Sequence, residues 1–119
     1  VEPKRFFEVA LPNMVARSFV DFLQNQGRIS FDIRGVGQWT FIFGTEEPVK
    51  SGLDPAAELR LTFTRRAFDA FVQGTLDPVE AVKRREVMAS GQGFDLLEAF
   101  GRILRPPTVD LGWNVDTTP

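Results

Sequence analysis

From residue 28 to residue 63, apolar side chains fall at every second position in three separate runs. Ile29, Phe31 and Ile33 alternate with Arg28, Ser30, Asp32 and Arg34, the period of a strand with one buried face. Gly35-Val36-Gly37 is a turn signal, and Trp39, Phe41 and Phe43 then repeat the alternation over 38–44. Two such runs joined by a short glycine-bearing loop predict a β-hairpin. Residues 45–55 are polar and turn-rich and read as a loop. Leu59, Leu61 and Phe63 mark a third strand over 57–63.

Outside these runs the period changes to that of a helix. The opening, 1–13, is broken by Pro3 and Pro12 and reads as irregular, with Phe6, Phe7 and Val9 suggesting a short docked segment. Asn13 stands as an N-cap for a helix over 14–26, with Val15, Phe19, Phe22 and Leu23 on one stripe and Gly27 as its stop. Thr64 caps a second helix over 65–73 that carries Phe68, Phe71 and Val72 and stops at Gly74. Asp77-Pro78 is a further start signal, N-cap followed by proline in the first turn, and opens a short helix through Val79 and Val82. Residues 86–90 are short enough to be an edge strand. Phe94, Leu97, Phe100 and Leu104 then keep helical spacing up to Pro106 and Pro107. Helix, three strands, two short helices, strand and helix predict an α+β fold, with a largely antiparallel sheet and the helices gathered on one face.

Composition removes most catalytic chemistry. The 119 residues suffice for one domain with its own core. With no Cys and no His, the chain lacks thiolate chemistry, the usual general base and the commonest zinc ligand. Twelve Phe and no Tyr describe a greasy interior without the phenol's polar handle. This counts against an enzyme. A net charge of −2 gives no case for nucleic acid or an anionic membrane, and no apolar run approaches bilayer length. The default expectation is a soluble, cytoplasmic protein without a cofactor.

The order of signals from 64 to 91 resembles the sterol-carrier-protein family, the type-two nonspecific lipid-transfer fold. It is carried by Thr64, Phe68, Phe71, Gly74, Leu76, Asp77, Pro78, Ala81, Val87, Ser90 and Gly91, with no inserted residue. Upstream, the hairpin and third strand follow the same order, so the likeness covers roughly 15–105. It implies a five-stranded sheet covered by helices, with an apolar tunnel between them for acyl chains, sterols, isoprenoids or other lipids. Pattern alone counts four strands; the implied fifth falls near Val49 to Leu53. The chain departs from the family where Val82 and Lys83 follow the alanine of the second short helix, and where "RRE" replaces a usual glycine before the strand.

On that resemblance residues 1–105 form a lipid-binding domain and 106–119 a tail or linker. Phe31, Trp39, Phe41, Phe63, Phe68, Phe71, Leu76, Val79, Val82, Val87, Phe94, Leu97 and Phe100 would line the tunnel. The same stripes also describe a packed core, since periodicity says only which side is buried. Arg84 and Arg85, with Arg65 and Arg66 across the gap, could receive an anionic headgroup; alternatively the first pair serves the helix dipole. Asp69, Glu80, Glu86, Asp95 and Glu98 have no paired spacing, and Gly91-Gln92-Gly93 lacks the rest of a phosphate loop. Noncatalytic carriage of a hydrophobic small molecule or lipid is the expected function. An accessory domain of the same fold, serving a fused or partner enzyme or a homodimer, is the alternative. A small enzyme using Asp or Glu alone stands behind both. Trp113 could act as a lid over the tunnel, anchor a partner, or belong to a disordered tail.

Overall fold

The computed structural model describes residues 2–104; the tail and Trp113 lie outside them. The chain opens with α1 (Pro3–Arg5), a π-helical turn (Phe6–Ala10), α2 (Leu11–Arg17) and α3 (Phe19–Gln24). The irregular opening is therefore corrected to helix, and Asn13 lies inside α2 rather than at its start. Pro3 takes the first position of α1, where an N–H would have no partner, and Glu2 caps it by accepting from the Arg5 amide at 3.1 Å. Pro12 opens α2 straight after the π turn, in which the Leu11 amide reaches the Phe6 carbonyl. The hydrogen-bond ladder thus shifts just ahead of the residue that cannot donate. Ser18, at φ −125° and ψ 45°, interrupts the next run. The break changes the helical phase: Val15 and Phe22 are buried, whereas Phe19 and Leu23 of the expected stripe are 55% and 52% exposed.

The sheet has five strands: β1 (Arg28–Ile33), β2 (Gly37–Ile42), β3 (Val49–Ser51), β4 (Leu59–Phe63) and β5 (Met88–Gly91), in the order β3-β2-β1-β4-β5. The fifth strand, β3, lies within the segment that pattern alone read as loop. The pairs are antiparallel except β1 with β4, which is parallel in the register Ile29↔Leu59 to Ile33↔Phe63. Ile29, Phe31, Ile33, Trp39, Phe41, Leu59, Leu61 and Phe63 are buried on the side that meets the helices, as the alternation requires.

The parallel pair obliges the chain to cross from β3 to β4 over the opposite face of the sheet. A relay of hydroxyls holds that crossing. The Asp54 amide donates to Ser30 Oγ at 3.0 Å, and Thr40 Oγ1 donates to the Gly52 carbonyl at 2.8 Å. The Ser30 hydroxyl is then left to donate to Thr40 Oγ1, 2.9 Å away. The Asp54 carboxylate meets Arg28 at 2.8 Å and Lys50 at 3.0 Å. Its pKa is held below the usual carboxylate value chiefly by the Ala56 amide, then by Lys50 and Arg28, against the opposing pull of burial. Ser30 and Thr40, on the face that alternation assigns to water, are buried by this segment.

After β4 come α4 (Arg65–Gln73), α5 (Pro78–Lys83) and, beyond β5, α6 (Phe94–Leu104). Thr64 accepts from the Ala67 amide at 3.0 Å, and Gly74, at φ 87°, closes α4. Asp77 accepts from the Val79 and Glu80 amides at 2.9 and 3.1 Å. Both caps are where the sequence puts them. Asp77→Ala is expected to cost about 0.5–2 kcal/mol, read as a lower denaturation midpoint, whereas an unchanged midpoint would mean that the cap does not hold α5. At the end of β5, Gly91 has φ 103° and a Cβ there would run into the Glu58 carbonyl, which is why glycine closes the strand. In α6 the buried residues are Leu96, Leu97, Ala99, Phe100 and Ile103. The expected stripe is right for Leu97 and Phe100, but Phe94 is 39% exposed at the first residue of the helix.

Candidate ligand-binding site

The space between helices and sheet is filled by rings. Phe100 lies 5.1 Å, centroid to centroid, from both Phe31 and Phe41, and stacks on Phe71 at 6.1 Å. Phe71 stacks on Phe63 at 5.3 Å, and Phe68 meets Phe63 edge-on at 5.6 Å. Phe7, from the π turn, closes the other end by stacking on Trp39 at 4.9 Å and on Phe68 at 5.5 Å. Such contacts are worth more than the area they bury. Of the thirteen residues expected to line a tunnel, Phe31, Trp39, Phe41, Phe63, Phe68, Phe71, Val87, Leu97 and Phe100 are buried in this cluster. Leu76, Val79 and Val82 are half-buried around α5, and Phe94 stands apart from it.

Part of the open space lies at α5. This helix has six residues and fully buries a single side chain, Ala81, with Val79 and Val82 half-buried beside it, so it is held by less apolar surface than α6. A groove runs along each of its flanks. On the α6 side, Asp77, Pro78, Val79 and Glu80 face Leu97, Glu98, Gly101 and Arg102 across about 550 Å³. On the β5 side, Val82 and Arg85 face Val87, Met88 and Ala89 across about 420 Å³. Val87 and Leu97 lie at the floors of the two grooves and are themselves part of the ring cluster's apolar core.

The grooves differ in charge. The α6 side carries the carboxylates of Asp77, Glu80 and Glu98 against the guanidinium of Arg102. The β5 side is apolar apart from Arg85. Of the four arginines of the expected rim, Arg85 lines one of these grooves, whereas Arg84, Arg65 and Arg66 line neither. Arg65 instead pairs with Asp69 on its own helix at 3.6 Å. Arg85 has φ 64°, and among the described residues it alone, glycine aside, takes up the left-handed region. An L side chain is strained there by about 1 kcal/mol. The turn nevertheless needs that conformation, because it lets the Glu86 amide reach back to the Ala81 carbonyl at 2.8 Å and close α5. The sequence flagged this position through its missing glycine. It gave no signal for Gly101, Met88 and Ala89, which form groove walls by being small or by standing at the sheet edge.

A third groove, of about 590 Å³, lies at the end of the sheet beside Asn25, Arg28, Thr45 and Glu58, with Leu23, Ile42 and the core ring of Phe43 also in its lining. Its lining is mostly polar, and Glu58 there accepts the Arg28 amide at 2.9 Å. No α5 residue lines it; it meets the ring cluster at Phe43.

No protein-family model matches the chain, and no curated protein sequence does. Solved structures do match. The sterol carrier protein domain 2 of Helicoverpa armigera is 13% identical over 84% of this chain and 86% of that one, with a TM-score of 0.67. Palmitated SCP2L2 from Aedes aegypti is 18% identical over 77% of this chain and 91% of that one, with a TM-score of 0.54. The inverting sec-alkylsulfatase Pisa1 from Pseudomonas sp. is 19% identical over 69% of this chain, with a TM-score of 0.57; the aligned part is 13% of that chain. At these identities the shared property is the fold. Among the described residues no helix is long and apolar enough to cross a membrane.

Proposed function

We propose that this chain, which has the fold of sterol carrier protein 2 domains, binds a hydrophobic ligand noncovalently beneath α5. The observation that carries the reading is the position of α5. It is capped at both ends, anchored by one buried side chain and bordered by two grooves whose floors belong to the apolar core. Without ligand the interior is closed by Phe71, Phe100 and their neighbours. An acyl chain or other extended lipid would enter by displacing α5 and take the place of ring contacts that open. Binding would be driven by the ligand's apolar surface leaving water, roughly 25 cal/mol per Å², with the few polar groups at the groove mouths fixing orientation.

Gly101 offers a direct test. It faces the α6-side groove, its φ is not in the left-handed region, and a Cβ there meets nothing within 4 Å. A phenyl ring can therefore occupy the groove without disturbing the helix. Gly101→Phe is expected to weaken a fluorescent fatty acid at least tenfold while leaving stability unchanged or slightly raised, since glycine is a poor interior helix residue by about 0.5–1 kcal/mol. Unaltered affinity in Gly101→Phe would remove the site from α5.

One observation favours a second reading. The interior is filled by side chains, and the fold also forms part of an alkylsulfatase chain. An accessory domain with a permanently closed core, presenting a hydrophobic substrate to an enzyme or joining two copies of itself, fits both facts. Native mass spectrometry of the purified chain, before and after delipidation, separates the two readings. A bound lipid supports carriage. Its absence, together with no saturable binding of acyl chains, sterols or isoprenoids, leaves the accessory role.

A further inference from the structure

We propose that Arg85 receives the carboxylate of a single-chain fatty acid at the β5-side mouth of the site, so that the ligand is an anionic amphiphile held in one orientation beneath α5. The inference rests on the lipid-binding reading above. At Arg85 the backbone and the side chain have different requirements. At φ 64° Arg85 forms the last turn of α5: its own amide donates to the Val82 carbonyl at 3.0 Å and the Glu86 amide to the Ala81 carbonyl at 2.8 Å. Every bond of that turn is made by backbone atoms, and glycine would make them all without strain. The guanidinium contributes nothing to the turn, and among the described residues it has no ion-pair partner.

What the guanidinium does have is a place at the mouth of an apolar groove, beside Val82, Val87, Met88 and Ala89. A planar fork of donors at the rim of an apolar slot suits a carboxylate, which it can hold bidentately while the chain runs inward. The opposite flank of α5 disfavours the reverse orientation. Asp77, Glu80 and Glu98 line that groove with Arg102 as its lining cation; Asp77 is taken up as the cap of α5 and Glu80 lies 3.5 Å from Lys83, so a carboxylate there would meet acidic groups that already hold their partners. Glu86, beside Arg85 in sequence, lines neither groove. Charge therefore places the head at β5 and directs the tail toward α6.

Arg85→Gly tests the proposal, because the structural and binding roles predict opposite signs. Removing the strained side chain should raise the melting temperature by about 4 °C. Palmitate affinity should nevertheless fall about tenfold, while hexadecanol, with the same chain and no charge, should bind as in wild type. Arg85→Asn, which tolerates the same backbone without the charge, should reproduce the palmitate loss, and Arg85→Lys should recover part of it. Equal responses of palmitate and hexadecanol, or no response of either, would overturn the headgroup role and leave the lipid site standing. A loss confined to palmitoyl-CoA would overturn the assignment to a carboxylate. If neither palmitate nor hexadecanol bound the wild-type chain, the lipid-binding reading itself would fail.

Discussion

Phe100→Ala is expected to lower the stability of the chain by about 3–5 kcal/mol and, in the same variant, to strengthen binding of a compact apolar probe. The two effects have one cause. Phe100 is fully buried and its ring is shared between the sheet, through Phe31 and Phe41, and α4, through Phe71. Deleting it leaves a hole enclosed by rings, and a hole of that lining stays dry. Domains of this size are stable by about 5–15 kcal/mol, so the variant should remain folded at low temperature in the absence of denaturant. If ligand occupies the region beneath α5 by replacing ring contacts, the missing phenyl has already removed part of the cost of opening. Denaturant unfolding and titration with a small apolar fluorophore check both halves. A large loss of stability with no gain in affinity would place ligand outside the ring cluster and weaken the proposed route past α5.

What the sequence could and could not reveal divides along local and nonlocal physics. The caps Thr64 and Asp77 and the stop at Gly74 are decisions made within four residues, and each makes the bonds its residue type suggests. The inward faces of β1, β2 and β4 follow from period two alone. The direction of β4 does not, because alternation is the same in parallel and antiparallel pairs. That direction depends on the crossing from β3, whose polar anchors Ser30, Thr40 and Asp54 look like ordinary surface residues until the segment lies on them. β3 itself has three residues, none of them buried, and so leaves almost no hydrophobic signal; the family resemblance located it. The candidate site was legible on its core side, where large apolar residues recur at helical spacing. Its outer walls were not, since a groove is made by what is small or missing, as at Gly101, and by two elements that meet only after folding.

The π turn provides the other large expected effect. Phe7→Ala should cost about 3–5 kcal/mol, whereas Val9→Ala, two residues on, should change stability by no more than about 0.5 kcal/mol. In an irregular docked segment the two apolar side chains would serve similar purposes. In the structure Phe7 is fully buried and Val9 is 48% exposed. Phe7 stacks on Trp39 with an interplanar angle of 13° and also touches Phe6, Phe31 and Phe68. It therefore bridges the β1–β2 hairpin and α4, the two parts of the fold that make the walls of the interior. Truncating it also strips the Trp39 ring of its stacked partner, so the folded variant should show altered tryptophan emission that Val9→Ala does not. Urea unfolding supplies the energies and emission spectra supply the local readout. Equal, small effects of the two substitutions would mean that the helical opening contributes no more than a loosely held cover. The ring cluster would then have to be closed at that end by something other than Phe7.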